Sequence, residues 1–175
     1  MSFKCPKTIV VMGVSGSGKT KVGHEVARLL EGVFEDADDF HSLEAKAKMG
    51  SGTPLNDEDR WPWLARLRAR IQEVRGTGKV YVLACSALRA VYREKLRETD
   101  TVDDLVFVLL DGERDLIADR MGRREGHYMP LSLLDSQLAI LERTDDLMAV
   151  SIKPPVKEIA RGLVHDLEGE GCCDV

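Results

Sequence analysis

One short stretch limits the folds open to this chain more than any other. Residues 8–20 read TIVVMGVSGSGKT: an apolar run from Ile9 to Met12, a glycine-rich turn, then Gly18-Lys19-Thr20 opening an apolar-periodic segment. Gly13, the four residues Val14, Ser15, Gly16 and Ser17, and then Gly18-Lys19-Thr20 satisfy the spacing G-x-x-x-x-G-K-[ST]. Glycines let the backbone curl so that successive N–H groups converge on phosphate oxygens at the positive end of a helix. Lys19 then reaches the β- and γ-phosphates, and the Thr20 hydroxyl joins a Mg²⁺ shell. The stretch predicts a strand, a phosphate-binding loop and a helix that together take a nucleoside triphosphate.

The remaining chain alternates apolar runs with helical periodicity. Val22, Val26, Leu29 and Leu30 mark a helix from Gly18 to about Leu30, stopped by Gly32. Val33 and Phe34 begin a short strand leading to Asp36-Ala37-Asp38-Asp39. A basic helix, Leu43 to Met49, precedes a long helix that starts near Asn56 and buries Leu64, Leu67, Ile71 and Val74. Pro62 is read as lying in that helix's first turn, where a missing N–H costs nothing. Val80 to Ala84 and Leu105 to Leu110 are continuous apolar runs, as expected of strands buried on both faces. Helices follow at Ala87 to Arg97, from about Asp115, and around Leu134 to Leu141. Leu147 to Ile152 is the last strand, and Val156, Ile159 and Leu163 mark the last helix. The pattern predicts an α/β fold: a five-stranded parallel sheet with helices on both faces, in three layers. We read residues 1–175 as a single P-loop domain, with a mobile lid at about 122–131 and a disordered tail at about 169–175.

Composition narrows the partners. The 175 residues carry a formal net charge of −5, which argues against a nucleic-acid binder. Cys5, Cys85, Cys172 and Cys173 lack zinc-ligand spacing, and no signal peptide or bilayer-length apolar run is read. The expectation is a cytoplasmic protein with reduced thiols and no membrane attachment.

In a parallel sheet, ligands bind beyond the carboxyl ends of the strands. That rim holds Gly13 to Lys19, Asp36 to Asp39, Cys85-Ser86 and Asp111-Gly112. Asp36 and Asp38 would face the phosphate loop together if the chain stays extended. One carboxylate would then order the Mg²⁺ shell while the other orients an attacking hydroxyl. The competing reading is a helix N-cap and turn. Asp111 after its apolar strand imitates a second metal-binding acid, but Asp111-Gly112 is read as a turn. Arg60, aided by Lys48, is a candidate for an anionic substrate; an ion pair with Asp57 or Glu58 is the alternative. Arg120 to His127 combines cations and glycines, as expected of a cover that brings positive charge to a transferring phosphate. Cys85 is read as a packing residue. The N-K-x-D run of guanine-recognising switches is absent.

With these residues on the page, the chain resembles the gluconokinases, small P-loop kinases related to shikimate and adenylate kinases. The resemblance runs through MGVSGSGKT, DADDFH, KMGSGTPLNDEDRWPWL, ACSALRAVYREKLR, RREGHYM and LLDSQLAILE. It implies ATP- and Mg²⁺-dependent phosphorylation of D-gluconate on its terminal hydroxyl, and a cytoplasmic homodimer. Carried onto this chain, Lys19 and Thr20 hold phosphate and Mg²⁺ with Asp36, and Asp38 faces the substrate hydroxyl. His41, Lys48, Arg60, Ser86 and His127 lie with the sugar acid, Arg120 against the adenine and Arg124 on the phosphates. Departures from the family pattern are Ser42 for Pro, Ala45 for Asn, Arg89 for Lys, Gly122 for a larger apolar residue and Leu138 for an aromatic one.

Overall fold

A computed structural model describes residues 6–123 and 131–168. Five strands, β1 (Thr8–Met12), β2 (Val33–Asp36), β3 (Tyr81–Ala84), β4 (Leu105–Asp111) and β5 (Leu147–Ser151), form one sheet in the order β2-β3-β1-β4-β5. Every pairing is parallel, with Thr8 opposite both Tyr81 and Leu105. Among the described residues, seven α-helices accompany them: α1 (Lys19–Leu29), α2 (Leu43–Gly50), α3 (Asp57–Arg75), α4 (Ala90–Arg97), α5 (Arg114–Gly122), α6 (Leu131–Ile140) and α7 (Val156–Glu168).

Side chains alternate along a strand, and both faces of β1 are covered, which explains its apolar run from Ile9 to Met12. Ile9 and Val11 join Val82, Val106 and Val108 in one core with Val22 and Val26 of α1 and Ile159 and Leu163 of α7. Val10 and Met12 face the other way, joining Tyr81, Leu83, Phe107 and Leu109 against Leu64, Leu67 and Ile71 of α3 and Leu96 of α4. The result is the expected three-layer, five-stranded α/β architecture. Among the described residues no helix is long and apolar enough to cross a membrane. Of the expected lid at about 122–131, residues 124–130 lie outside the described residues, while Gly122 ends α5 and Leu131 begins α6; the expected tail at about 169–175 also lies outside them.

Three local expectations need correction. Because α3 begins at Asp57, Pro62 sits beyond its first turn and removes a ladder hydrogen bond there. The burial of Trp63, Leu64, Leu67, Ile71 and Val74 carries the helix through regardless. The helix after β3 starts at Ala90, not Ala87, whose left-handed backbone (φ 43°) belongs to the preceding loop. Finally, the chain after Asp36 does not stay extended: Ala37–Phe40 winds into a short 3₁₀ turn.

Candidate active site

The phosphate loop joins β1 to α1 and lies at the carboxyl end of the sheet. Gly13, Gly16 and Gly18 adopt positive φ values of 141°, 82° and 102°, conformations that a Cβ would strain. At Gly16 a Cβ would also come within 2.5 Å of Met121 Cγ at the end of α5. The Val14 carbonyl accepts from Ser17 N–H at 3.2 Å and from Lys19 Nζ at 3.1 Å. Lys19 thereby lies back along the loop it would serve. Gly13 N–H donates to Ser86 O at 3.4 Å, which brings the loop after β3 against the phosphate loop.

Asp36 is the last residue of β2 and connects two functions. Its Oδ2 accepts from Thr20 Oγ1 at 3.0 Å, while Oδ1 accepts from Asp38 N–H at 3.1 Å and caps the 3₁₀ turn. The N-cap reading is met by Oδ1, which leaves Oδ2, on the Thr20 hydroxyl, as the atom that the metal reading concerns. Thr20 and Asp36 are hard oxygen donors beside the phosphate loop, a pair suited to Mg²⁺, which completes its shell with water and phosphate oxygens. Among the described residues, no group of three or more His, Cys, Asp and Glu side chains comes together to hold an ion alone.

The turn sends Asp38 into the open cleft, with 87% of its side chain accessible. Although its carboxyl tip meets water, the surrounding protein still desolvates it and, with the Asp36 charge, holds its pKa above the ordinary aspartate value. His41 follows at 3.9 Å from Asp38, too far for a hydrogen bond. Its ring stacks on Trp63 with centroids 4.5 Å apart, and Trp63 Nε1 donates to Ala37 O at 2.7 Å. Burial lowers the His41 pKa, and its Nδ1 is buried without a hydrogen-bond partner.

Arg60 and Lys48 meet at the start of α3. Lys48 Nζ contacts Asp59 Oδ2 at 2.5 Å, and Asp59 also closes the capping box with Asn56. Arg60 donates to Tyr92 Oη at 3.1 Å and pairs with Asp57 at 3.4 Å, so the expected ion-pair alternative is present. Asp57 also accepts from Tyr92 Oη at 2.5 Å and from Arg89 at 2.9 Å. Arg60 and Arg89 both lie over the Tyr92 ring. Two cations thus share one carboxylate at the cleft edge.

Ser42 caps α2 by accepting from Ala45 N–H at 3.1 Å, which gives a structural role to the Ser42 departure. Ser86 is exposed at the rim. Arg120 donates to Ile152 O at 2.5 Å at the end of β5. Asp111 pairs with Arg143 at 2.7 and 3.0 Å, away from the Thr20–Asp36 contact. Cys85 is buried, its thiol pKa pushed up to about 12 by burial. The Arg124 and His127 expectations fall outside the described residues.

Two further side chains organise the cleft without having been singled out in the sequence. Arg93, 2% exposed, donates to the carbonyls of Ala87, Leu88 and Glu142 and to Thr144 Oγ1, fixing the loop that carries Ser86. Gln137 of α6 contacts Ser15 of the phosphate loop at both ends of its amide. Each belongs to a quoted motif, YREKLR and DSQLAILE, which was the available signal.

The chain is similar to known proteins over most of its length. A family model described as shikimate kinase matches residues 15–161. A probable gluconokinase of Xenopus tropicalis is 42% identical over 178 residues, covering 93% of this chain and 92% of that protein. A gluconokinase of Gluconobacter oxydans is 47% identical over 141 residues, covering 81% of this chain and 78% of that protein. The crystal structure of a gluconokinase from Sinorhizobium meliloti superposes with a TM-score of 0.82 at 42% identity, covering 94% of this chain and 93% of that one.

Proposed function

The chain belongs to the gluconokinases, within the wider shikimate kinase family, and on that premise we propose that it phosphorylates D-gluconate. The reaction transfers the γ-phosphoryl group of ATP to the terminal (6-) hydroxyl, giving 6-phospho-D-gluconate and ADP. The observation that carries this reading is the meeting of the glycine-rich loop, the Thr20–Asp36 pair and the open Asp38 carboxylate at one end of the sheet.

Each residue then has a task. The loop from Gly13 to Thr20 cradles the nucleotide phosphates through amides other than those of Gly13, Ser15 and Ser17, which Ser86, Gln137 and Val14 hold, and Lys19 offsets the charge on the transferred group. Thr20 and Asp36 would hold Mg²⁺, which would supply positive charge to offset that of the phosphates. Asp38 accepts a hydrogen bond from the gluconate 6-hydroxyl, orients its lone pair for in-line attack, and takes its proton as the new O–P bond forms. Arg60, with Lys48, receives the gluconate carboxylate in exchange for part of its hold on Asp57. His41 and Ser86 lie along the sugar-acid chain. Arg120 lies beside the adenine, and Arg124 and His127 act from the lid. The same reading includes a single kinase domain and a cytoplasmic homodimer.

The test is steady-state ADP release with MgATP and a panel of D-gluconate, other sugar acids, shikimate and nucleoside monophosphates. Strong stimulation by gluconate alone is expected. Preference for another acceptor would overturn the substrate assignment.

A further inference from the structure

The phosphate loop is held at its tip by a helix distant in sequence. Ser15 N–H donates to Gln137 Oε1 at 2.7 Å, and Gln137 Nε2 lies 3.2 Å from Ser15 Oγ. A neutral amide accepts and donates at once, so one side chain meets both groups. We propose that Gln137 is a positioning residue for the nucleotide site, acting through the Val14–Ser15 peptide on Lys19.

The physical link is a single rigid plane. The peptide unit between Val14 and Ser15 carries the N–H that Gln137 holds and, on its opposite side, the carbonyl that accepts from Lys19 Nζ at 3.1 Å. Partial double-bond character keeps the two groups coplanar and trans. Any rotation of that plane which frees the N–H also swings the carbonyl away from the lysine. The same carbonyl accepts from Ser17 N–H at 3.2 Å, so the curl of the loop turns with it. Resistance to rotation must come from outside, because the loop is rich in glycine and Gly16 and Gly18 hold positive φ values. On the adjoining side, the Gly16 Cα packs against Met121 and Ile117 of α5. Gln137 supplies the directional restraint that this apolar contact lacks. The inference rests on the loop binding ATP and is independent of which acceptor is phosphorylated.

Two variants separate positioning from packing. Gln137→Ala removes the contact and its volume; Gln137→Met keeps most of the volume and neither hydrogen bond. Calorimetric titration with a Mg²⁺-bound, non-hydrolysable ATP analogue reads the nucleotide site without any acceptor. Both variants are expected to bind about tenfold more weakly, the size of one lost hydrogen bond to a backbone group. Melting temperatures should stay within a few degrees of wild type. Wild-type affinity in Gln137→Met would make the contact one of packing and overturn the proposal, as would unchanged affinity in both variants. Absence of gluconate turnover, in contrast, would leave this titration fully readable.

Discussion

Thr20 Oγ1 donates to Asp36 Oδ2 across 3.0 Å, tying the first turn of α1 to the last residue of β2. The same carboxylate caps the turn that carries Asp38 into the cleft. The pair proposed to hold Mg²⁺ and the proposed proton acceptor are therefore set by one side chain, which on that proposal links binding of Mg²⁺ to placement of the base.

Asp38→Asn keeps the shape of the side chain and removes its basicity. The variant should fold and bind ATP with near-wild-type affinity while turnover falls by about 10²–10⁴-fold, the usual contribution of a positioned base. Rapid-quench or coupled-assay kinetics beside nucleotide titration would check it; turnover near wild type would remove Asp38 from the mechanism.

The pH profile follows from the environment of Asp38. Desolvation by the cleft walls and repulsion from Asp36 raise its pKa. The carboxyl must be ionised to accept a proton, so activity should fall as pH drops through a value above that of an ordinary aspartate. Removing the neighbouring charge with Asp36→Asn should move this acidic limb to lower pH and move half-saturation by Mg²⁺ to higher concentration. A limb that stays in place would assign it to another group.

Arg60→Ala should raise the KM for gluconate by roughly 10–100-fold, consistent with losing a hydrogen bond to a charged group, with the KM for MgATP changing far less. Equal weakening of both substrates would return Arg60 to its structural pairing with Asp57 and Tyr92.

Glu35 tests stability in place of activity. It accepts a bidentate contact from Arg70, at 2.7 Å from Nη2, and a 2.7 Å hydrogen bond from Tyr81 Oη. The Arg70 contact leads in holding its pKa below the usual glutamate value. A depressed carboxylate pKa contributes stability above the unfolded value, and loses it as pH falls through the folded one. Glu35→Gln should cost about 1–2 kcal/mol at neutral pH. That deficit should shrink below about pH 4.5; denaturant melts at pH 7 and in acid give the comparison.

Much of this was legible because the chemistry is contiguous. The phosphate loop lies in one run of residues, and the apolar strands announce a sheet covered on both faces. Asp36 could be read as a cap or as a metal ligand, and the structure shows why the residue alone does not decide: its two oxygens do different things. The helix start near Asn56 is legible from its cap, but Pro62 lies six residues on, beyond the first turn in which the sequence reading puts it. Arg93 and Gln137 were passed over for a different reason. Their partners at Glu142 and Ser15 are far away in sequence, and no local spacing encodes such pairings.

The central place of β1 also bears on the order in which the molecule can form. Among the described residues, β1 finds its neighbours only in Tyr81–Ala84 and Leu105–Asp111. Until both have been synthesised and docked, the glycine-rich turn has no sheet to stand on and no Ser86 carbonyl to receive Gly13. Such non-local pairing slows folding. Nucleotide capture should therefore be a late event in refolding, appearing with the global transition and not ahead of it.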